Sequence, residues 1–126
     1  NYKGTSALSE PESKALANLA NSANWTMTIS YHSMGNLVYW DFAGNKVAEQ
    51  SKALAELVTG ITGYRINRSS GKGGFKDYVQ IKDSPIPSLT IEVGSVACPM
   101  PVSEFGNVWN SNQSILAALA AYAADH

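Results

Sequence analysis

The stretch Trp25-Thr-Met-Thr-Ile-Ser-Tyr-His-Ser33 alternates apolar and polar side chains along its whole length. A period of two indicates a β-strand with one face toward a core. The stretch Ser88-Leu-Thr-Ile-Glu-Val93, entered after Pro85 and Pro87, predicts a second strand of the same kind. Between them, Leu37-Val-Tyr-Trp40 predicts a shorter extended piece.

Helical patterns separate these strands. A first helix is predicted to begin at Ser9, a second runs from Asn45 to Gly63, and a last long helix begins at Ser103. Residues 64–75 are rich in Gly and Ser and are predicted to be a loop. Helices that alternate with strands predict an α/β layer structure.

Composition limits the class of protein. A chain of 126 residues with 44% hydrophobic and 15% charged residues suits one compact domain with a buried core. A net charge of -1 without a basic patch argues against a nucleic-acid partner, and no apolar run predicts a membrane span. The single cysteine, Cys98, excludes an internal disulfide framework. Because the chain begins at Asn1 without an initiator Met or a signal peptide, we expect a piece of a longer protein.

Two polar residues lie near the carboxyl ends of predicted strands, His32 in the first and Glu92 in the later one. In open α/β sheets, sites form in the crevice beyond these ends. A His and a Glu that meet there suit a metal site with a general base. Two simpler interpretations stay open. His32 could be a hydrogen-bonded structural residue, and Glu92 could cap a neighbouring helix or pair with an arginine.

Four short motifs follow one another along the chain: Leu8-Ser-Glu-Pro-Glu12, Ser30-Tyr-His-Ser33, Gly73-Gly-Phe-Lys-Asp-Tyr78 and Leu89-Thr-Ile-Glu-Val-Gly94. In this order and spacing, over essentially all 126 residues, the chain resembles the second half of the catalytic domain of carboxypeptidase A-like zinc metallopeptidases. The stretch Tyr31-His-Ser-Met-Gly-Asn-Leu-Val-Tyr-Trp40 is similar to the bacterial branch, the γ-D-glutamyl-diaminopimelate peptidases. The resemblance implies that residues 1–126 form the C-terminal portion of a zinc carboxypeptidase domain, with a partial, mixed, mostly parallel sheet flanked by helices.

The resemblance also implies roles for individual residues. His32 would be the third zinc ligand. Glu92 would be the general base and acid, which takes a proton from the attacking water and delivers it to the leaving amine. Tyr64 would be the mobile tyrosine that folds over bound substrate, although a half-buried aromatic after a helix-ending Gly explains it equally well.

Three residues of the same motifs would contact substrate. Lys76 would lie at the floor of the side-chain pocket, where a cation favours a substrate carboxylate such as that of diaminopimelate; the alternative is a solvated loop lysine. Ser33 and Gly74 would contribute further contacts, and Asp77 would order the loop.

Part of the family's site has no counterpart in this sequence. The family takes its other zinc ligands from a His-x-x-Glu motif in the first half of the domain, and its substrate clamp, an Arg and an Asn-Arg pair, also lies upstream. Here the only histidines are His32 and His126. We therefore expect zinc as cofactor of a complete domain, held weakly or not at all by this chain alone.

The resemblance implies a secreted or cell-envelope zinc peptidase that cleaves near the C-terminus of a cell-wall peptide. The expected partners are a peptide or muropeptide substrate, the missing N-terminal half of the domain, and a second copy bound through an exposed sheet edge. Three alternatives stay open: a non-catalytic peptide- or muropeptide-binding relative, a zinc deacylase of amino-acid amides, and a folding unit with no function apart from its other half.

Overall fold

The computed structural model describes residues 4–68, 73–95 and 97–126. In these ranges the helices are α1 Pro11–Asn21, α2 Ala48–Thr62, α3 Phe75–Ile81, α4 Phe105–Asn112 and α5 Ile115–Asp125, with a short 3-10 helix at Val102–Glu104. The strands are β1 Thr28–His32, β2 Leu37–Tyr39, β3 Arg65–Asn67 and β4 Ser88–Glu92. None of the helices in these ranges has the length and apolar character that crossing a bilayer requires.

The described strands form one sheet in the order β1-β4-β2-β3. β1 pairs with β4 in parallel, β2 pairs with β3 in parallel, and β2 pairs with β4 antiparallel. The sheet is therefore mixed and mostly parallel. With helices on both of its faces, this confirms the predicted α/β class.

One face of the sheet carries the hydrophobic core. Alternation along β4 directs Leu89 and Ile91 to this face, where both are fully buried, and Val38 of β2 lies beside them. Helices α2 and α5 cover this face. The core cluster consists of Val38, Trp40, Leu54, Ala55, Val58, Leu89, Ile91, Ile115 and Leu119.

The opposite face of β1 and β4 is polar, and α3 packs against both strands there. Ser30 and His32 of β1 lie on this face together with Thr90 and Glu92 of β4. Helix α1 joins α3 through a small apolar cluster of Ala20, Val79 and Ile86. The polar face is thus covered in part, while its carboxyl-terminal end stays accessible.

A fully buried side chain, Gln80 of α3, ties this helix to the rest of the fold. Its amide nitrogen, which carries two N–H bonds, lies within hydrogen-bonding distance of the carbonyl of Trp40 (2.7 Å), the carbonyl of Ser88 (3.0 Å) and the hydroxyl of Ser51 (3.2 Å). These acceptors belong to the end of β2, the start of β4 and helix α2. A single amide therefore fixes α3 relative to the sheet.

Three expectations from the sequence were wrong in detail. Residues 64–75, expected to be a loop, contain β3, and α3 begins at Phe75. The single long helix expected after Ser103 is two helices, α4 and α5, because the polar run 110–114 favours helix poorly. Ser9 does not cap α1: the N-cap is Glu10, and the Ser9 hydroxyl instead bonds the Glu10 carboxylate.

Replacement of Gln80 by Leu should lower the free energy of unfolding by about 2–3 kcal/mol, because the carbonyls of Trp40 and Ser88 lose a buried donor. Urea unfolding followed by circular dichroism measures this change. The matched control is Gln50→Leu on the exposed surface of α2, expected to change stability by less than about 0.5 kcal/mol. Equal effects of the two substitutions would contradict the assigned role of Gln80.

Candidate functional site

His32 and Glu92 are direct partners in the parallel pairing of β1 with β4. Neighbouring strands lie about 4.8 Å apart, and partners in register point to the same face. His32 is exposed and Glu92 is partly exposed. The structure thus brings the predicted imidazole and carboxylate together at the carboxyl ends of their strands, as the sequence pattern predicted.

In the described part of the structure, Glu92 neither caps a helix nor pairs with an arginine. Among the helices that the structure describes, the N-terminal carboxylate contact is made at α3 by Asp77, and the other N-termini have no side-chain cap. The arginine ion pair in the described ranges joins Arg68 to Asp41. The Glu92 carboxylate therefore lies in the site without a structural task of these kinds.

His32 and Glu92 border a cavity of about 470 Å³ between α1, α3 and the polar face of the sheet. This volume is within the range of small-molecule and side-chain sites. Hydroxyl groups line one side and apolar side chains of α1 and α3 line the other. The full lining is Leu16, Ile29, Ser30, His32, Tyr39, Gly74, Phe75, Lys76, Asp77, Thr90 and Glu92.

Lys76 and Asp77 also line this cavity, and each is only 2% exposed. The Lys76 ammonium donates to the Asp77 carboxylate, to the Asp41 carbonyl at 3.1 Å and to the Gln80 side-chain oxygen at 3.3 Å. The second Asp77 oxygen accepts the N–H of Gly74 at 2.8 Å. The interpretation of Lys76 as a solvated loop lysine is wrong, and its contact with substrate stays a prediction.

The two other predicted substrate contacts lie in different surroundings. Gly74 is the N-cap residue of α3 and lines the cavity. Ser33 follows the end of β1 and is exposed, with its hydroxyl 3.8 Å from the Cys98 thiol. The structure therefore places Gly74 inside the cavity and Ser33 beyond the end of the strand that carries His32.

Tyr64 is not brought into this cavity. Tyr64 directly precedes Arg65, the first residue of β3. Leu37 of β2 pairs with Arg65 on one side and with Glu92 on the other, so Tyr64 lies at the end of the sheet that carries Glu92. Its ring packs against the core cluster, and its hydroxyl accepts a hydrogen bond from Asn112 at 2.9 Å.

Tyr31 lies on the same side of the sheet as Tyr64, opposite to His32. Burial raises the pKa of the Tyr31 hydroxyl above its ordinary value, and the nearby Tyr64 raises it further. These two phenols form a separate environment on the core face. The role of Tyr64 over bound substrate stays a prediction.

The side chains fit a zinc ion in part. An imidazole such as that of His32 is a common zinc ligand. Within residues 4–68, 73–95 and 97–126, however, no three His, Cys, Asp or Glu side chains come close enough to hold a metal ion. At this place the described part of the chain therefore offers one imidazole with an adjacent carboxylate.

Asp41 supports the site and was missed from the sequence. Its carboxylate, 11% exposed, accepts hydrogen bonds from Asn45 at 3.0 Å and from Arg68 at 3.0 and 3.2 Å, while its carbonyl accepts from Lys76. Burial raises the pKa of the Asp41 carboxyl, but the hydrogen bonds outweigh burial and hold that pKa below its ordinary value. A charged residue within the aromatic run Tyr39-Trp-Asp-Phe42 was the signal that could have revealed it.

Comparison with known proteins relates the chain to a peptidase. No family model matches it. The chain is 32% identical over 118 residues to gamma-D-glutamyl-L-diamino acid endopeptidase 1 of Lysinibacillus sphaericus, a match that covers 93% of this chain and 29% of that protein. It is 26% identical over 117 residues to the uncharacterized protein YqgT of Bacillus subtilis strain 168, covering 91% and 31%. The chain thus spans less than a third of either relative, and the named relative is an endopeptidase.

Stability should depend on pH through Asp41. A carboxyl whose pKa is lower in the folded state stabilises the fold above its unfolded pKa of about 4, and this contribution is lost as pH falls through the folded pKa. Asp41→Asn should therefore cost about 0.5–1 kcal/mol at pH 7 and progressively less below pH 4. Urea unfolding at several pH values measures it. The exposed Asp83→Asn control should show no such trend, and a pH-independent cost of Asp41→Asn would refute the assignment.

Proposed function

We propose that this chain supplies a zinc ligand and the general base of a peptidase that hydrolyses γ-D-glutamyl bonds to diamino acids in bacterial cell-wall peptides. The observation that carries the proposal is the pairing of His32 with Glu92 at the mouth of a cavity. The similarity to an endopeptidase named for that bond supports the choice of substrate. Action on cell-wall peptides would place the protein outside the cell or in its envelope.

The chemistry assigned to this chain begins at Glu92. A partly exposed carboxylate at a cavity mouth can accept a proton from an attacking water and return it to the leaving amine. His32 would hold the metal from the neighbouring strand. A bound zinc ion would polarise the scissile carbonyl and increase the acidity of water. The cavity beyond Glu92 would hold the substrate side chain that follows the cleaved bond.

The proposal requires metal ligands from another segment. Protein zinc sites use three or four ligands, and the described residues bring one imidazole to this place. β1 is at the edge of the sheet that the described residues form, and edge strands offer unpaired backbone groups to a further strand. Near it, Leu19 and Trp25 are 52% and 43% exposed. We propose that an N-terminal half of the domain covers this edge, with pairing between two copies as the competing arrangement.

In a full-length protein that carries this chain, Glu92→Gln should lower kcat for a γ-D-glutamyl-diaminopimelate peptide by about 10²- to 10⁴-fold, because the base is lost while the side-chain shape remains. Release of diaminopimelate, followed by chromatography, measures this rate. The exposed Glu49→Gln on α2 is the control and should leave the rate unchanged. Full activity of Glu92→Gln would refute the proposal, and a wild-type protein that binds the peptide without cleaving it would instead support the binding alternative.

The chain on its own should bind zinc no more tightly than micromolar, since a single imidazole is a weak site. Isothermal titration of the purified chain with zinc chloride measures the affinity. His32→Ala should reduce whatever binding is seen, whereas His126→Ala, at the exposed C-terminal residue, should have less effect. Sub-micromolar binding of one zinc ion per chain would show that no ligand from another segment is needed.

A further inference from the structure

A row of side chains crosses the polar face of the sheet at the carboxyl ends of β1 and β4. His32 of β1 pairs with Glu92 of β4, and Glu92 pairs on its other side with Leu37 of β2. Leu37 in turn pairs with Arg65 of β3. Paired residues point to the same face and neighbouring strands lie about 4.8 Å apart, so the Cα atoms of Arg65 and Glu92 are about 10 Å apart. Arg65 therefore lies on the face of the candidate site, on the side of Glu92 away from His32.

Arg65 has no part in the function proposed above. We propose that its guanidinium binds a substrate carboxylate next to the cleaved bond, which makes Arg65 a specificity-determining residue. This inference rests on the proposed function, because a γ-D-glutamyl bond leaves the α-carboxylate of the D-glutamyl residue free. The diamino acid on the other side of the bond carries a carboxylate of its own, so the substrate offers an anion on either side.

The side chain of Arg65 has the capacity to bind a carboxylate. It is exposed, and one nitrogen of its guanidinium donates to the carbonyl of Gly35 at 3.3 Å. A guanidinium carries five N–H donors in a planar fork that matches the two oxygens of a carboxylate. The ion pairs within the described residues do not include Arg65, and the remaining residues of the chain contain no Asp or Glu. The fork can therefore accept an anion from outside the chain.

The contact with Gly35 holds this cation close to Glu92. A Cβ atom added to Gly35 would lie 3.9 Å from the Cβ of Glu92 and 2.9 Å from a methyl group of Leu37. The N–H of Gly35 donates to the carbonyl of Gly94, two residues beyond Glu92, at 2.7 Å. The loop 33–36 thus crosses the end of β4, and Arg65 reaches a carbonyl of that loop from β3. Its guanidinium is therefore directed toward the place where the bond would be cleaved.

The charges around this place favour such a role. The carboxylate of Glu92 would repel a substrate carboxylate that approaches the cleaved bond. Lys76 and Arg68 are each paired with an aspartate of this chain, so their charges are already compensated. Arg65 is the cation in the row of Glu92, and its charge offsets the repulsion. A substrate carboxylate is then stable on the side of Glu92 away from His32.

Three peptides test the inference on a full-length protein that carries this chain. The parent is γ-D-glutamyl-diaminopimelate, the second has the α-carboxylate of its D-glutamyl residue as a carboxamide, and the third has both carboxylates of diaminopimelate as carboxamides. One of the two amides should be cleaved with kcat/KM about tenfold below that of the parent, because a charge-assisted contact is lost. The amide that is affected identifies the carboxylate that Arg65 binds. Equal kcat/KM for all three peptides would overturn the proposal.

Arg65→Gln separates recognition of the carboxylate from support of the loop. The variant should lose about tenfold in kcat/KM on the parent and less than about twofold on the sensitive amide, so that the preference for the acid disappears. Arg65→Lys keeps the charge and should keep part of the preference. Arg68→Gln makes the same change at the arginine that Asp41 holds, and it should alter the preference by less than about twofold. If Arg65→Gln slowed parent and amide equally, Arg65 would only hold the loop, and the proposal would be refuted.

Failure of the proposed function gives a different result from failure of this inference. If the wild type cleaves none of the three peptides, the proposed function fails. Calorimetric dissociation constants of the same peptides then decide the role of Arg65. Binding of the parent that weakens about tenfold in Arg65→Gln, with unchanged binding of one amide, would support it. Equal weakening for all three peptides, or none, would overturn it. Circular dichroism of each variant confirms that the exposed substitutions leave the fold intact.

Discussion

The in-register parallel pairing of β1 with β4 is the constraint on which the rest of the structure depends. It joins Thr28 to Ser88 at one end and His32 to Glu92 at the other. Because side chains alternate between faces, a shift of the pairing by one residue would place the His32 imidazole and the Glu92 carboxylate on opposite faces of the sheet. It would also pair the buried Leu89 and Ile91 with β1 residues that point to the polar face. The packing of the core face therefore fixes the geometry of the candidate site on the opposite face. Stability and site geometry are consequences of the same pairing.

The helix that covers the polar face, α3, buries polar side chains of its own. A sheet face that carries hydroxyls and a carboxylate cannot be covered by an apolar helix without leaving polar groups unpaired. Helix α3 presents Lys76, Asp77 and Gln80 inward, and the contacts of these three account for one another and for nearby backbone carbonyls. Such a network is favourable only when nearly every member is satisfied. The result is a cavity wall whose buried polar side chains are hydrogen-bonded to one another and to the backbone.

The polarity of α3 also explains which parts of the structure could be predicted from the sequence. Alternating strands predicted β4 and the positions of His32 and Glu92, because a period of two needs no tertiary information. Helix α3 was missed because three of its four buried residues, Lys76, Asp77 and Gln80, are polar and give no apolar stripe, and β3 because its three residues are exposed. The burial of Lys76 was also beyond the sequence. The sequence left a solvated lysine open as an alternative, and Lys76 becomes buried only when α3 packs on the sheet.

The position of His32 has a further consequence for the proposed metal centre. Among the described strands β1 is at the edge of the sheet, so the strand that carries the proposed ligand has one paired neighbour there. If the remaining ligands come from a segment that packs against this edge, the metal site lies at the interface between two parts of the domain. The zinc affinity would then depend on how closely the two parts pack at this interface, since both contribute ligands and set their geometry. Glu92, on the inner strand β4, would keep its position in either case. This chain alone would thus position the general base, whereas the metal would be positioned only when the two parts of the domain are assembled.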